Sequence, residues 1–598
     1  MKLVFDIEAN GLLPTVSKFH CSGARDVDTG KEYWFRPDQL QEFLDLLDSA
    51  DVIIAHNAYG YDVEALRILS GNDWKPKATV QCTKVMSQML NYRRFGFGHS
   101  LKQWGEAFGD KKGDYTGGWE EFNEDMFEYM KQDVRLGTRV YQHLMKEVRN
   151  YITASGSKDI LRALRSEMQM DHIMVKQNRN GWLFDTPSAM KLLKTVEEKM
   201  KTIEDFINPK LPIRVRKVDN EPKKAKFTKA GKPASWMHNW FELDDKCTVD
   251  SCPVGGEFSR IEFITGDIGN TDTVKKLLYT LGWKPDEFNW KRINGKFIKV
   301  SPKLTDSSLE RLGDVGQALM EYYTLRSRHS IIKGWFDHID SNSRLHGDVF
   351  NIGTPTFRQT HKIIANLPSG KATLGPEVRR LFVAKDGYKL VSADSAACQL
   401  RLLAHYMKND NFTKEILEGD IHQKNADILG CDRATAKPFI FAFLYGAGGK
   451  KLGSILGVSD KEGNKKKKQY LDSIPALKKL INSVQNIVDG QGYLPGLDDR
   501  PIYTESAHKA LNYLIQGAEA VVMKYTIIMI EEELEKAGLD ASILLFYHDE
   551  VTYEVKEEQA EQAREIIMRC FEEAPKALGV DIMTCGDCNI GDDYYDVH

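Results

Sequence analysis

The 598-residue sequence lacks a cysteine framework. Its nine cysteines are an odd number and lie scattered along the chain, which excludes the disulfide-stapled secreted scaffolds and points to a reducing compartment. Two close pairs, Cys247/Cys252 and Cys585/Cys588, have no matching second half at ligand spacing, so a zinc site from either is not expected. No apolar run reads as long enough to span a bilayer, and the chain opens on a strand-like segment, not a signal peptide. The expectation is a cytoplasmic protein that engages no membrane. An excess of one charge is also missing, with 82 basic against 86 acidic residues and a net charge of -4. That balance excludes little, because basic residues can cluster while carboxylates hold metals. Length predicts three or four domains, and 42% hydrophobic with 28% charged residues is ordinary for a globular chain.

Three patterns carry chemistry. In Arg433-Ala-Thr-Ala-Lys437-Pro-Phe-Ile-Phe441-Ala-Phe-Leu-Tyr445, four residues recur every fourth position. On a helix they share one face for three turns, two cations at one end and two aromatic rings at the other. A triphosphate with a stacked base needs groups in that order; an amphipathic helix with a cationic end is the plainer alternative. In Lys2-Leu-Val-Phe-Asp6-Ile-Glu8, the two acids lie two apart and share a strand face, where they repel unless a cation sits between them. Asp62 follows Tyr61 at a helix start, and Tyr129 and Asp133 lie at i and i+4 on a later helix. Finally, Tyr388-Lys-Leu-Val-Ser-Ala-Asp394 reads as a strand ending in an acid, and Ser542 to Val555 as a hairpin with His548-Asp549-Glu550 on its turn. Neighbouring strands would let Asp394 and Asp549 meet and hold magnesium ions.

Together these stretches resemble family A DNA polymerases with a proofreading 3′–5′ exonuclease, in the element order of replicative enzymes of short-tailed phages. The resemblance implies an α/β and α+β multidomain fold: an RNase H-like exonuclease domain at 1–150, then a right hand. The thumb would occupy 151–345 with a basic insert near 214–258, the palm 346–410 and 521–598, and the fingers 411–520. Asp6, Glu8, Asp62 and Asp133 would hold two divalent ions, with Tyr129 orienting the attacking water. Asp394, Asp549 and the Ser395 carbonyl would hold two Mg²⁺ ions, with Glu550 the accompanying acid. Arg433, Lys437 and His422 would bind the triphosphate, Gln399 and Phe441 would flank the sugar, and Tyr445 would stack at the template position. Arg358, Asn512, Gln516 and His548 would contact primer–template DNA through its nearly sequence-independent minor groove. A host thioredoxin-type processivity factor and a helicase–primase are the candidate partners beyond DNA and dNTPs, and phage genome replication in the host cytoplasm is the implied role.

Three positions depart from the family pattern. Gln399 stands where relatives carry a glutamate that excludes the ribose 2′-hydroxyl, which leaves a relaxed-sugar or RNA-synthesising relative open. Phe441, where relatives have tyrosine or phenylalanine, has no hydroxyl to offer Gln399. Pro438 predicts either a kinked helix or a regular part that begins only there. In the middle of the chain, Arg214 to Lys232 carries eight basic residues against two acids and reads as a loop or small insertion, either solvated or gripping duplex phosphates. Residues 270–335 read as helical. Lys465 to Lys468 read as solvated charge or DNA contacts. The rival functions are a nuclease with a degenerate polymerase half and a non-catalytic DNA-binding scaffold.

Overall fold

The computed structural model describes residues 1–598 apart from 111–114, 219–222 and 295. The chain forms two compact units: Met1–Asp185 together with His338–His598, and Thr186–Asp337.

The first unit opens with a five-stranded sheet. Strands β1 (Lys2–Ala9), β2 (Phe19–Asp26), β3 (Glu32–Phe35), β4 (Val52–Ala55) and β5 (Thr79–Cys82) take the order β3-β2-β1-β4-β5. The pairs β1/β2 and β2/β3 are antiparallel, while β1/β4 and β4/β5 are parallel. Central position explains the near-continuous apolar run of β1: Leu3, Val4, Phe5 and Ile7 are buried, covering both faces. The helix Glu124–Ser155 packs on this sheet through Met130, Val134 and Val140. Asn123 caps it by accepting the Met126 N–H at 2.8 Å, and Glu124 and Asp125 sit favourably in its first turn.

A second sheet is wholly antiparallel. Its strands run in the order Ala541–Tyr547, Glu550–Lys556, Tyr388–Ser395 and Cys585–Gly591. Val391, Ala393, Phe546, Val551 and Tyr553 form a core with Met523, Ile527 and Ile530 of the helix Ala510–Lys536 and with Ile567 and Phe571 of the helix Ala560–Glu573. That long helix corrects one reading of the sequence. Extended to Ala507, it is long and apolar enough to cross a bilayer, yet 72% of its apolar window is buried inside the fold. Glu519 and Lys524 interrupt the apolar run in the sequence, and both are buried with partners, so it is a core helix.

One such partnership ties four segments together. Glu167, on the helix Asp159–Asn180, accepts from Lys524 Nζ at 2.7 Å and from Asn351 Nδ2 at 2.9 Å, and it pairs with Arg500. Arg500 also grips Asp498 through two bonds of 2.8 and 2.7 Å. All four charged side chains are fully buried.

In the second unit, the helices Thr186–Ile207 and Gly313–Trp335 pack together, with Tyr322 donating to Glu204 at 3.2 Å and His329 against Glu197 at 2.9 Å. Two readings of this region change. The basic stretch contains short strands, since Arg214–Lys217 pairs with Ile261–Ile264 and Lys223–Lys224 with Glu257–Phe258; residues 219–222 lie outside the described residues. Residues 270–335 are not all helical, because a hairpin of Phe288–Ile293 with Lys296–Pro302 follows the helix Thr271–Thr280. Aromatic and β-branched residues alternate there with lysine and arginine around an Asn-Gly pair in the sequence, a strand-and-turn signature.

Candidate active sites

Antiparallel pairing brings the acids of the second sheet together. Asp394 is the register partner of Glu550, and the Ser395 N–H donates to the Asp549 carbonyl at 2.9 Å. The hairpin turn consists of His548 and Asp549, with His548 in the left-handed region at φ 59°. Glu550 is not on the turn, as expected from sequence, but begins the next strand. Its carboxylate accepts from Tyr594 at 2.9 Å and Ser392 at 3.2 Å and lies 3.4 Å from His598. Burial first, then the charges of Asp587 and Glu550, raises the pKa of Asp394; burial first, then Asp394 and Glu550, raises that of Asp549. Two hard carboxylate donors whose charge is penalised by burial and by neighbouring acids fit a divalent cation.

The strand Cys585–Gly591, which carried no sequence signal, supports Asp394 directly. The Asp587 N–H donates to Asp394 Oδ1 at 2.9 Å, and the Cys585 thiol donates to the Asp394 carbonyl at 3.6 Å. Gly586 admits the carboxylate, because a Cβ there would lie 2.4 Å from Asp394 Oδ1. Gly586→Ala is therefore expected to push Asp394 aside and slow primer extension about 10²-fold, with a far-ultraviolet dichroism spectrum like wild type.

The cationic helix spans Arg433–Leu444, with Tyr445 at its C-cap. Ala436, Phe439, Ile440, Phe443 and Leu444 are buried, so Arg433, Lys437, Phe441 and Tyr445 occupy the outward face. Asp432 accepts the Thr435 N–H at 2.9 Å and starts the helix before Pro438, which sits one turn inside. Arg433 is thus on the first regular turn, and its Nε donates to Asp420 at 2.7 Å. Asp420 in turn caps the helix Ile421–Leu429 by accepting the N–H groups of His422 and Gln423 at 3.0 and 3.1 Å. His422 lies near Lys437 and Arg433; burial and these cations lower its pKa. The Phe441 ring faces His422 with centroids 6.3 Å apart. Lys466 and Lys467, read as solvated or DNA-binding, donate to the carbonyls of Leu429, the last residue of its helix, and of Ala447, in the loop after Leu444, at 2.6 and 3.0 Å.

Gln399 is buried, and its Oε1 accepts from the Tyr445 hydroxyl at 3.1 Å. Its Nε2 donates to Glu519, which no sequence pattern singled out and which also pairs with Arg358. The available signal was a lone acid in the apolar run Ile515 to Met523. Arg358, Gln516 and His548 line one cleft of about 350 Å³ with His361, Tyr513 and Tyr547. Asn512 sits one turn before Gln516 on the same helix. Burial, then Arg358, pushes the His548 pKa down to about 4.

In the N-terminal sheet, Asp6, Glu8 and Asp133 each bring a carboxylate oxygen within 4.8 Å of the others. Asp62, buried at the start of the helix Asp62–Leu69, is outside that set but close enough to interact with Asp133. Burial dominates its environment and, with Asp133, pushes its pKa up to about 7. Tyr129 lies among the rings of Tyr115 and Trp119, with centroids 5.9 and 6.5 Å away.

The family model for DNA polymerase family A matches residues 265–596. The chain is 27% identical to the DNA-directed DNA polymerase of Escherichia phage T7, over 96% of this chain and 97% of that protein. It is 28% identical to the DNA-directed DNA polymerase of Enterobacteria phage T3 over the same shares. DNA polymerase I of Deinococcus radiodurans is 31% identical over 37% of this chain and 25% of its own length. Among solved structures, the POL domain of Pol1 from M. smegmatis, in complex with DNA primer-template and dNTP, matches with a TM-score of 0.75 at 15% identity, covering 100% of this chain and 96% of that one. With more than half its length matched by the family model, the chain belongs to DNA polymerase family A, the DNA-directed DNA polymerases.

Proposed function

We propose that the chain extends a DNA primer along a template with dNTPs and proofreads with a 3′–5′ exonuclease in residues 1–150, as a phage replicative enzyme in the host cytoplasm. The observation that carries the polymerase half is the pairing of the Asp394 strand with the hairpin that presents Asp549, with Tyr445, at the end of the helix bearing Arg433 and Lys437, tied to Gln399 five residues after Asp394. Asp394 and Asp549, with the Ser395 carbonyl, would hold two magnesium ions, and Asp6, Glu8, Asp62 and Asp133 two divalent ions. When bound, such ions lower the pKa of an attacking hydroxyl or water and neutralise phosphate charge.

The chain's own groups do the positioning. Arg433, Lys437 and His422 receive the triphosphate, and Arg433 exchanges its exposed bond with Asp420 for a phosphate oxygen, at small cost for a surface pair. Gln399 and Phe441 wall the sugar, and the half-exposed Tyr445 ring stacks at the template position. Arg358, Asn512, Gln516 and His548 follow the minor groove of the primer–template; a largely neutral His548 there accepts or donates one hydrogen bond without adding charge. The right-hand division proposed is a thumb at 151–345, a palm at 346–410 and 521–598, and fingers at 411–520. For the exonuclease, the support is the cluster of Asp6, Glu8 and Asp133 on a sheet of order β3-β2-β1-β4-β5.

One assay separates the two halves. A 5′-labelled primer on a template, with Mg²⁺, is expected to lengthen with dNTPs and to shorten from its 3′ end without them. In the double variant Asp6→Ala/Glu8→Ala, shortening is expected to fall on the order of 10³-fold, since a metal ligand set supplies several kcal/mol. Extension by that variant is expected to persist. Undiminished shortening would refute the assignment of the N-terminal acids.

A further inference from the structure

Glu519 sits on the core helix Ala510–Lys536, is 2% exposed, and touches two groups proposed above for the nucleotide sugar and for the primer–template. Gln399 Nε2 donates to its two carboxylate oxygens at 3.1 and 3.3 Å, and Arg358 pairs with one of them. The Tyr445 hydroxyl closes the chain by donating to Gln399 Oε1 at 3.1 Å.

This arrangement leaves the glutamine amide one orientation. An ionised carboxylate only accepts, so the amide nitrogen must face Glu519. The amide oxygen is then left for the tyrosine hydroxyl. A glutamate at position 399 would instead set two buried carboxylates against each other. Arg358 supplies the positive charge that lets Glu519 stay ionised out of water.

We propose that Glu519 is a positioning residue for sugar selection: the acid absent at position 399 stands instead on the neighbouring helix, where it fixes the Gln399 amide and tethers Arg358. Gln399 and Glu519 are thus a matched pair, and neither can be exchanged without the other. The inference rests on the polymerase reading above, and on Gln399 facing the nucleotide sugar. The hydroxyl that Phe441 lacks is supplied to Gln399 by Tyr445.

The test uses the full chain in single-nucleotide primer extension, measuring kcat and KM for a dNTP and for the matching rNTP. Wild-type extension with dNTPs checks the polymerase reading by itself, before any variant is compared. Glu519→Gln keeps shape but frees the Gln399 amide to turn over, so discrimination against the rNTP is expected to fall about tenfold. Gln399→Glu is expected to lower kcat/KM for the dNTP by about tenfold or more through carboxylate repulsion. The exchange variant Gln399→Glu/Glu519→Gln restores one donor facing one carboxylate, and both quantities should return to within about threefold of wild type. Thermal melting of each variant separates a loss of folding from a loss of selection. Should Gln399→Glu fail to fold, the rNTP discrimination of Glu519→Gln decides alone. Wild-type discrimination in Glu519→Gln, or an exchange variant whose losses simply multiply, would overturn the proposal.

Discussion

Asp394→Ala is expected to reduce primer extension on the order of 10³-fold, the several kcal/mol that a divalent ion's charge stabilisation supplies. Asp549→Ala should do the same. Asp394 stands near the end of one strand and Asp549 on the turn of the hairpin that pairs with it, and burial first raises the pKa of each, so neither can take over the other's place. Asp394→Asn is the informative companion. Its side-chain oxygen can still accept from the Asp587 N–H, as Asp394 Oδ1 does at 2.9 Å, so the local fold is kept while the charge is removed. If the site acts through charge, the asparagine variant is as inactive as the alanine variant; near-wild-type extension by Asp394→Asn would contradict that. Shortening of the primer from its 3′ end should continue in all three, because the N-terminal acids belong to a different sheet.

Glu167→Ala should be the most destabilising single change in the buried network. It leaves Arg500 and Lys524, both fully buried, with Asp498 as the remaining acid of the group. Removing one partner of a buried ion pair costs about 3–5 kcal/mol, because the remaining charge stays out of water. Lys524 already shows the strain of that burial, which pushes its pKa down to about 8 against the pull of Glu167. The measurement is the urea midpoint of the transition that melts the first unit. The double variant Glu167→Leu/Lys524→Met separates the cost of an unpaired charge from the worth of the pair. It should recover a large part of the loss, since an apolar replacement of a buried pair is often near neutral. A double variant as unstable as Glu167→Ala would instead mean that the network holds the four segments by its specific hydrogen bonds.

What was legible in the sequence was whatever repeats at a period or sits at a turn. The alternation ending in Asp394, the Ser542–Val555 hairpin and the spacing of four between Arg433 and Tyr445 all became the elements they predict. The cluster of Asp6, Glu8 and Asp133 was readable because two of its members share one strand. What the sequence hid were relations between distant segments. Glu519 meets Gln399 across 120 positions, and Gly586 matters only because Asp394 lies against it. Lys466 and Lys467 looked like free charge because the carbonyls they hold lie on segments distant in sequence, the end of the helix Ile421–Leu429 and the loop at Ala447. The core helix Ala510–Lys536 escaped as an apolar run because its buried charges have partners elsewhere in the fold. The hairpin at 288–302 carries an alternation of period two that is masked by its place in a stretch flanked by helices.

The most direct test of the central claim is whether the template dictates the product. Wild-type protein is incubated with Mg²⁺ and a labelled primer on a template of known sequence, in four reactions that each omit one dNTP. Template-directed synthesis predicts that each reaction stops one position before the first template base that calls for the missing nucleotide, and that changing the template moves the stops accordingly. Stops that ignore the template, or a primer that is only ever shortened, would contradict the account.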